Sequence, residues 1–356
     1  MFKQVIAGGI LALSSLGTAA VPAPVVVPSK VVSFKNWAVG CDNGGDCQAV
    51  SLAPEGELDG AIDISIGRNA ALNDTLSINL SDYSTSSNRY RILVDNRIVD
   101  TGAIPKNIGA VPKNSGITII GADAIKLARA MARGSNLRLV DGDRQDLGKV
   151  SLAGISASFR YIDAAQGRAG SRGAIVAKGR KRSAVRQSIV PVVMAKRIAP
   201  SEQLPDTAAL VALSEGSPCA AKRVGTTEDS AYSLGPTQAL ILLNCGNGAY
   251  NYSYGAYVGN RDAAGKWTFA PAAFDYAPKR LDETSELALL VNAQWDSKTQ
   301  TVSGYAKGRG IGDCGASQQH VWDGGSFRLI QARVMDECRG SLDWITVWRA
   351  KVSLSG

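Results

Sequence analysis

The chain has 356 residues, of which 45% are apolar and 20% charged, with a formal net charge of +8. That balance is globular and excludes an intrinsically disordered chain. Beyond the N-terminus no stretch reaches the ~18 consecutive apolar residues of a membrane helix, so no transmembrane segment is expected.

The N-terminus reads as an export signal. Lys3 supplies a positive start, Val5 to Leu16 is an apolar stretch, and Thr18-Ala19-Ala20 places small residues at a cleavage site. Residues 1–20 are expected to be removed, which implies a periplasmic protein. Pro22 and Pro24 stop any helix, and residues 21–30 should form an extended leader. The remaining chain is long enough for two domains.

Residues 31–165 read as an N-terminal α+β domain. Phe34 to Ala49 is strand, turn (Asp42-Asn43-Gly44-Gly45-Asp46) and return. Ala61–Ile66, Leu76–Leu80, Tyr90–Val94 and Ile117–Ile120 alternate as strands, and Asp95-Asn96 is a two-residue hairpin turn. Ala122 to Ala132 switches to helical period, with Gly134 as its expected C-cap. Leu137–Val140 returns to strand. Leu152, Ile155, Phe159 and Ile162 then share a helical face.

Residues 166–205 read as a basic connector. Between Ala164 and Ser201 there is no acidic residue, while Arg168, Arg172, Lys178, Arg180, Lys181, Arg182, Arg186, Lys196 and Arg197 are all cationic. This segment alone accounts for the net positive charge. Two readings stand side by side. Arg180, Lys181, Arg182 and Arg186 could bind an anionic envelope component or an acidic protein, or the run could be a solvated linker. An exported chain is a poor partner for nucleic acid, and the run lacks interleaved aromatics.

Residues 206–356 read as a β-rich C-terminal domain. Asp206 caps a short helix over Ala208 to Leu213. Strands follow at Gln238–Leu243, Ala249–Val258, Lys266–Phe269, Leu287–Trp295, Thr301–Ala306, Ser326–Val334 and Trp344–Lys351, and Ser317 to Trp322 reads as turn into strand. The pattern argues for an antiparallel sandwich or partly closed barrel. The overall expectation is therefore an α+β, two-domain, disulfide-braced protein.

Six cysteines follow the signal: Cys41, Cys47, Cys219, Cys245, Cys314 and Cys338. An even count in an exported chain reads as disulfides. Sequence proximity suggests Cys41–Cys47, Cys219–Cys245 and Cys314–Cys338. There is no C-x-x-C pair and His320 is the single histidine, so no metal site and no cofactor are expected.

Candidate functional residues are few. Tyr250, Tyr252 and Tyr254 alternate along one expected strand, and Trp267, Trp295, Trp322, Trp344 and Trp348 share their domain. Such a face can stack on sugars or grip a partner, or simply form a β core. The run Gly308-Arg309-Gly310-Ile311-Gly312-Asp313-Cys314-Gly315 lacks the following helix that a phosphate loop requires, and suits a tight turn beside a disulfide. No G-x-S-x-G elbow accompanies His320. Asp275, Asp282, Glu283, Asp313 and Asp323 could supply an acid/base pair, but no spacing selects one.

Several segments together resemble a known family. They are Phe34 to Asn43 with Cys47; Gln166-Gly167-Arg168 with Ala174 to Gly179; Cys245 with Gly248 to Asn251; Lys307 to Gly315 with Trp322-Asp323-Gly324 and Phe327; and Glu337 to Gly340 with Trp344 and Val347 to Ala350. They resemble the bacterial exported family of unknown function numbered 1176. The N-terminal half is also loosely similar to invasion-associated locus B proteins through its Trp-x-x-x-Cys opening. The resemblance implies an envelope location, agrees with the cysteine pairing, and supplies no catalytic residues. The expected function is a non-catalytic envelope protein binding a protein or anionic partner. The alternative is a glycan-acting enzyme using carboxylates near the tyrosine face.

Overall fold

The computed structural model describes residues 26–57, 62–71, 76–82, 90–101, 106–107, 116–182, 190–223, 228–277, 279–281 and 285–355. The signal, Arg186, Asp282 and Glu283 lie outside them.

The chain opens with β1 (Val32–Phe34), β2 (Trp37–Cys41), β3 (Cys47–Ser51), β4 (Ile62–Arg68) and β5 (Leu76–Asp82). Next come β6 (Tyr90–Val94), β7 (Arg97–Ile98), β8 (Lys106–Asn107), β9 (Gly116–Ile120) and α1 (Gly121–Met131). Then follow β10 (Asn136–Asp141), β11 (Asp146–Ser151) and α2 (Ile155–Ala165). Two sheets result, ordered β1-β2-β3-β4-β5-β9-β8 and β11-β10-β6-β7. One core joins them to both helices, through Trp37, Ile64, Leu127, Leu139 and Phe159 among others.

Local chemistry explains the main elements. Asp95 and Asn96 both take positive φ, 46° and 64°, as a primed hairpin turn between β6 and β7 requires. Helix α1 buries Ala124, Leu127, Ala128 and Met131, a single stripe at helical spacing. Its C-cap is Ala132, not Gly134. A Cβ on Gly134 would lie 2.3 Å from Val94 Cγ1, so that glycine serves the close approach of β6. Gly154, at φ +105°, turns the chain into α2, and a Cβ there would meet the Phe34 carbonyl oxygen at 1.8 Å.

Residues 166–182 pack onto this part of the molecule. Asp163 is fully buried and accepts the N–H groups of Ile175, Val176 and Ala177 at 2.8–3.1 Å. Arg68 Nη1 pairs with it at 3.0 Å. Charge-assisted hydrogen bonds of this kind offset the cost of burying the carboxylate. Arg168 is also buried, donating to the carbonyls of Asn69, Ala70 and Ala71.

The remaining elements are β12 (Val192–Lys196), α3 (Thr207–Gly216), β13 (Ser230–Gly235), β14 (Gln238–Asn247), β15 (Tyr252–Arg261) and β16 (Trp267–Pro271). They continue with β17 (Leu289–Val291), β18 (Gln294–Asp296), β19 (Thr301–Lys307), β20 (Gly315–Trp322), β21 (Phe327–Met335), β22 (Ile345–Arg349) and β23 (Lys351–Ser355). Asp206 caps α3, its carboxylate accepting the Ala209 N–H at 2.8 Å. One five-stranded sheet contains β13-β14-β15-β16 with β17 beside β15, and the other runs β18-β19-β20-β21-β22. Both are antiparallel, they do not close into a barrel, and they share a core that includes Leu240, Ala256, Val302, Trp322 and Phe327. Strands β12 and β23 form a separate parallel pair. The cysteines are joined 41–47, 219–245 and 314–338.

Strand β2 is buried along its whole length because both its faces are covered. Trp37, Val39 and Cys41 enter the first core. Ala38 lies with Val50 and Leu52 against Met335, Trp344 and Ile345, and a Cβ on Gly40 would sit 3.0 Å from Ile345 Cγ2. Polar clasps flank this seam. Arg349 Nε stands 2.5 Å from Asp42 Oδ2, and Nη2 is 2.6 Å from Asp46 Oδ2. Asn43 exchanges two hydrogen bonds with the Arg349 backbone. Arg339 donates to Ala53 O, Lys35 O and Asn36 Oδ1.

Arg349→Ala leaves the buried Asp42 carboxylate without its counter-charge and should cost about 2–3 kcal/mol, read as a lower urea midpoint. Adding Asp42→Asn should recover part of the loss; an unchanged midpoint in the single variant would remove the clasp from the account of stability. Gly154→Ala should yield little folded protein, because the clash is with backbone. Normal yield and melting would contradict it.

Candidate functional site

Residues directly opposite in antiparallel strands share a face. The register of the last sheet aligns Gln294, Ser303, Gln319 and Gln331 in one row across β18–β21. Tyr305, Ser317 and Arg333 form the next row. Both rows floor a groove of about 720 Å³. Tyr250, Tyr252 and Asn292 line it from beside β15, and Leu342 and Trp344 from the segment before β22.

Asparagines set the position of the tyrosines. The sequence predicts one strand over Leu287–Trp295, but the chain breaks at Asn292, whose φ is 47°. Asn292 Oδ1 accepts the Tyr252 N–H at 2.9 Å, while Nδ2 donates to Tyr305 O at 2.8 Å and Asn251 Oδ1 at 3.0 Å. Asn251 in turn pairs with the Lys307 backbone through Lys307 O and N–H. These two amides tie β15 to β19. The sequence assigns neither asparagine this role; the local signal for Asn292 is that asparagine tolerates positive φ.

Tyr250 lies before β15, not within it, and its hydroxyl donates to Gly308 O at 3.0 Å. Tyr250 and Tyr252 are 37% and 42% exposed, whereas Tyr254 packs against the inter-sheet core. Of the three alternating tyrosines, the first two therefore line the groove. Tyr305 stacks on Trp344 with ring centroids 4.6 Å apart at 12°. Burial raises the Tyr305 phenol above its usual value, so it stays protonated.

The glycine-rich run is a turn leading into β20, with no helix behind it. A Cβ on Gly308 would lie 2.5 Å from Cys314 Sγ, so the loop folds directly over the disulfide. Asp313 is fully buried and holds Arg309 Nε at 2.6 Å and the Gly340 N–H at 2.7 Å. Burial alone would raise its carboxyl, but these hydrogen bonds bring it below the usual range.

The other candidates lie elsewhere. Arg180, Lys181 and Arg182 are exposed and do not line the groove. Asp275 and Asp323 line a different cavity of about 350 Å³, where Arg328 Nε is 3.1 Å and 3.9 Å from them. Each also accepts backbone N–H groups: Asp275 from Leu329, Asp323 from Gly325 and Ser326. Among the described residues lining the tyrosine groove there is no carboxylate. No group of three His, Cys, Asp or Glu among the described residues could hold a metal. No helix among them is long and apolar enough to cross a membrane.

His320 is fully buried in the inter-sheet region, edge-on to Phe274, with Nε2 2.9 Å from Tyr276 O. That oxygen can only accept, so Nε2 carries the proton. Burial lowers the imidazole from 6.5 to about 4. The unfolded chain then binds the extra proton between these values, so stability is complete above pH 6.5 and falls toward pH 4. The loss attributable to this group should approach about 3 kcal/mol. His320→Gln keeps a donor for Tyr276 and should flatten the slope relative to the parent in urea titrations from pH 7 to 4. Parallel pH curves would contradict this.

The family "Protein of unknown function (DUF1176)" matches residues 31–351. The chain is 25% identical over 336 residues to "Uncharacterized protein YpfG" of Escherichia coli (strain K12), covering 89% of this chain and 92% of that protein. Among solved structures it is similar to invasion associated protein b from Bartonella henselae, at 17% identity and a TM-score of 0.31, covering 39% of this chain and 99% of that one. A match running from β1 to the start of β23 means that the chain belongs to the DUF1176 family of proteins of unknown function.

Proposed function

We propose that this is an exported, non-catalytic envelope protein whose groove over β18–β21 binds a carbohydrate. The observation that carries this reading is the lining itself. Tyr250 and Tyr252 offer exposed aromatic surface for sugar rings. Gln294, Gln319, Gln331 and Ser317 offer amide and hydroxyl groups that can both donate and accept, which suits a sugar's hydroxyls. Glycoside hydrolysis ordinarily needs two carboxylates flanking the bond, and none lines this groove among the described residues. Export is supported by the N-terminal sequence pattern and by the three disulfides.

The reading is tested by incubating the protein on an array of neutral and acidic bacterial envelope glycans, followed by calorimetry on hits. A hit should bind without being cleaved. Tyr252→Ala should weaken it about tenfold, the equivalent of one stacking contact, with the melting temperature unchanged. Absence of any hit from the folded protein, or release of shortened glycan, would overturn the proposal.

A further inference from the structure

The charge of the groove narrows the ligand class, an inference that rests on the groove being the binding seat. Lys307 and Arg333 are its charged residues among those described, and both are cations. Arg333 Nε donates to Trp344 O at 2.9 Å, which fixes the guanidinium and leaves its two terminal nitrogens free of that contact. Lys307 Nζ lies 5.9 Å from the Tyr305 ring centroid. Neither cation has a carboxylate within 4.0 Å among the described residues.

This sets them apart from the arginines that hold the fold. Arg68 is paired with Asp163, Arg309 with Asp313, Arg328 with Asp275, and Arg349 with Asp42 and Asp46. The carboxylate whose field reaches Tyr305, Asp313, is taken up by Arg309 and the Gly340 N–H. The groove therefore keeps an uncompensated positive charge in a recess, where field strength is greater than on an open surface.

Placement gives the geometry of recognition. Lys307 is on β19 and Arg333 on β21, with β20 between them. Lys307 faces Gly315, two positions along from the Tyr305–Ser317–Arg333 row, so two strand spacings and this offset separate their backbones by about 12 Å. Both side chains are long enough to converge above Ser317, which sits between Tyr305 and Arg333 in the same row. An oxyanion there would meet a guanidinium, an ammonium and a hydroxyl.

We propose that the groove selects an acidic carbohydrate, seating a sugar-borne oxyanion between Lys307 and Arg333 while neighbouring rings lie on Tyr250 and Tyr252. The oxyanion is a uronate carboxylate or a phosphate ester, two sources of the same chemistry.

Calorimetry with tetragalacturonate, a mannotetraose phosphate and neutral mannotetraose tests this. At least one acidic probe should bind ten or more times tighter than the neutral one, and the stronger of the two identifies the oxyanion. Lys307→Gln and Arg333→Gln should each reduce that preference about fivefold, and raising salt from 50 to 500 mM should erode it while leaving neutral binding unchanged. Lys307→Gln is the cleaner variant, since Arg333 also braces Trp344. Equal binding of neutral and acidic probes, or acidic binding indifferent to both variants, overturns the inference while the groove remains a carbohydrate site. Failure of all three probes with the folded parent overturns this inference; a neutral or other glycan hit on the array would still uphold the broader reading.

Discussion

The fold depends on the burial of β2 from both sides. A strand covered on one face alternates, and a strand covered on two does not. Here Trp37 and Val39 serve the N-terminal core while Ala38 and Gly40 face β22. The seam-facing residues are small because the strands approach closely. The same seam receives Met335 and Trp344, so the position of one groove wall is set by the first strands of the chain. Asp42 and Asp46 then draw in Arg349 from the opposite end of the sequence. The turn glycine Gly44 admits the guanidinium, since a Cβ there would lie 2.6 Å from Nη2. Turn, seam and groove are thus mechanically continuous.

A second constraint acts on the groove from the other side. The Cys314–Cys338 bridge lies under Gly308, Gly308 accepts the Tyr250 hydroxyl, and Asn251 and Asn292 hold the adjoining backbone to β19. The exposed tyrosines are therefore preorganised rather than loosely displayed. A rigid aromatic platform loses little conformational entropy when a ligand stacks on it.

Much of the fold was legible because its signals are local. Alternation located most strands, the change of period located α1 and α2, and Asp95-Asn96 marked its hairpin. The cysteine pairs followed proximity because each bridge spans a short stretch, 6, 26 and 24 residues in chain order. The groove was not legible in the same way. Gln294, Gln319 and Gln331 come from strands whose register no single segment specifies, and each glutamine alone reads as surface. Asn292 hid in an apparently continuous strand because its effect depends on partners 40 and 41 residues upstream. Tyr250 and Tyr252 were visible as a pattern, but period two placed Tyr254 with them, whereas Tyr250 precedes β15 and Tyr254 packs inward.

Charge gives the sharpest contrast between sequence and structure. Along the chain, the densest cations lie between residues 166 and 201, and density by itself is equally compatible with a binding surface and with a solvated linker. In three dimensions Arg168 is consumed by three backbone carbonyls, and residues 175–177 wrap the Asp163 carboxylate. Neither Lys307, read only as the first residue of the glycine-rich run, nor Arg333 is marked in the sequence as a binding residue. What distinguishes them is the lack of a carboxylate partner among the described residues within a polar recess. A cation's availability is a property of what surrounds it. Pairing removes it from recognition even when it is one of many, and lack of pairing in a recess leaves a lone one effective.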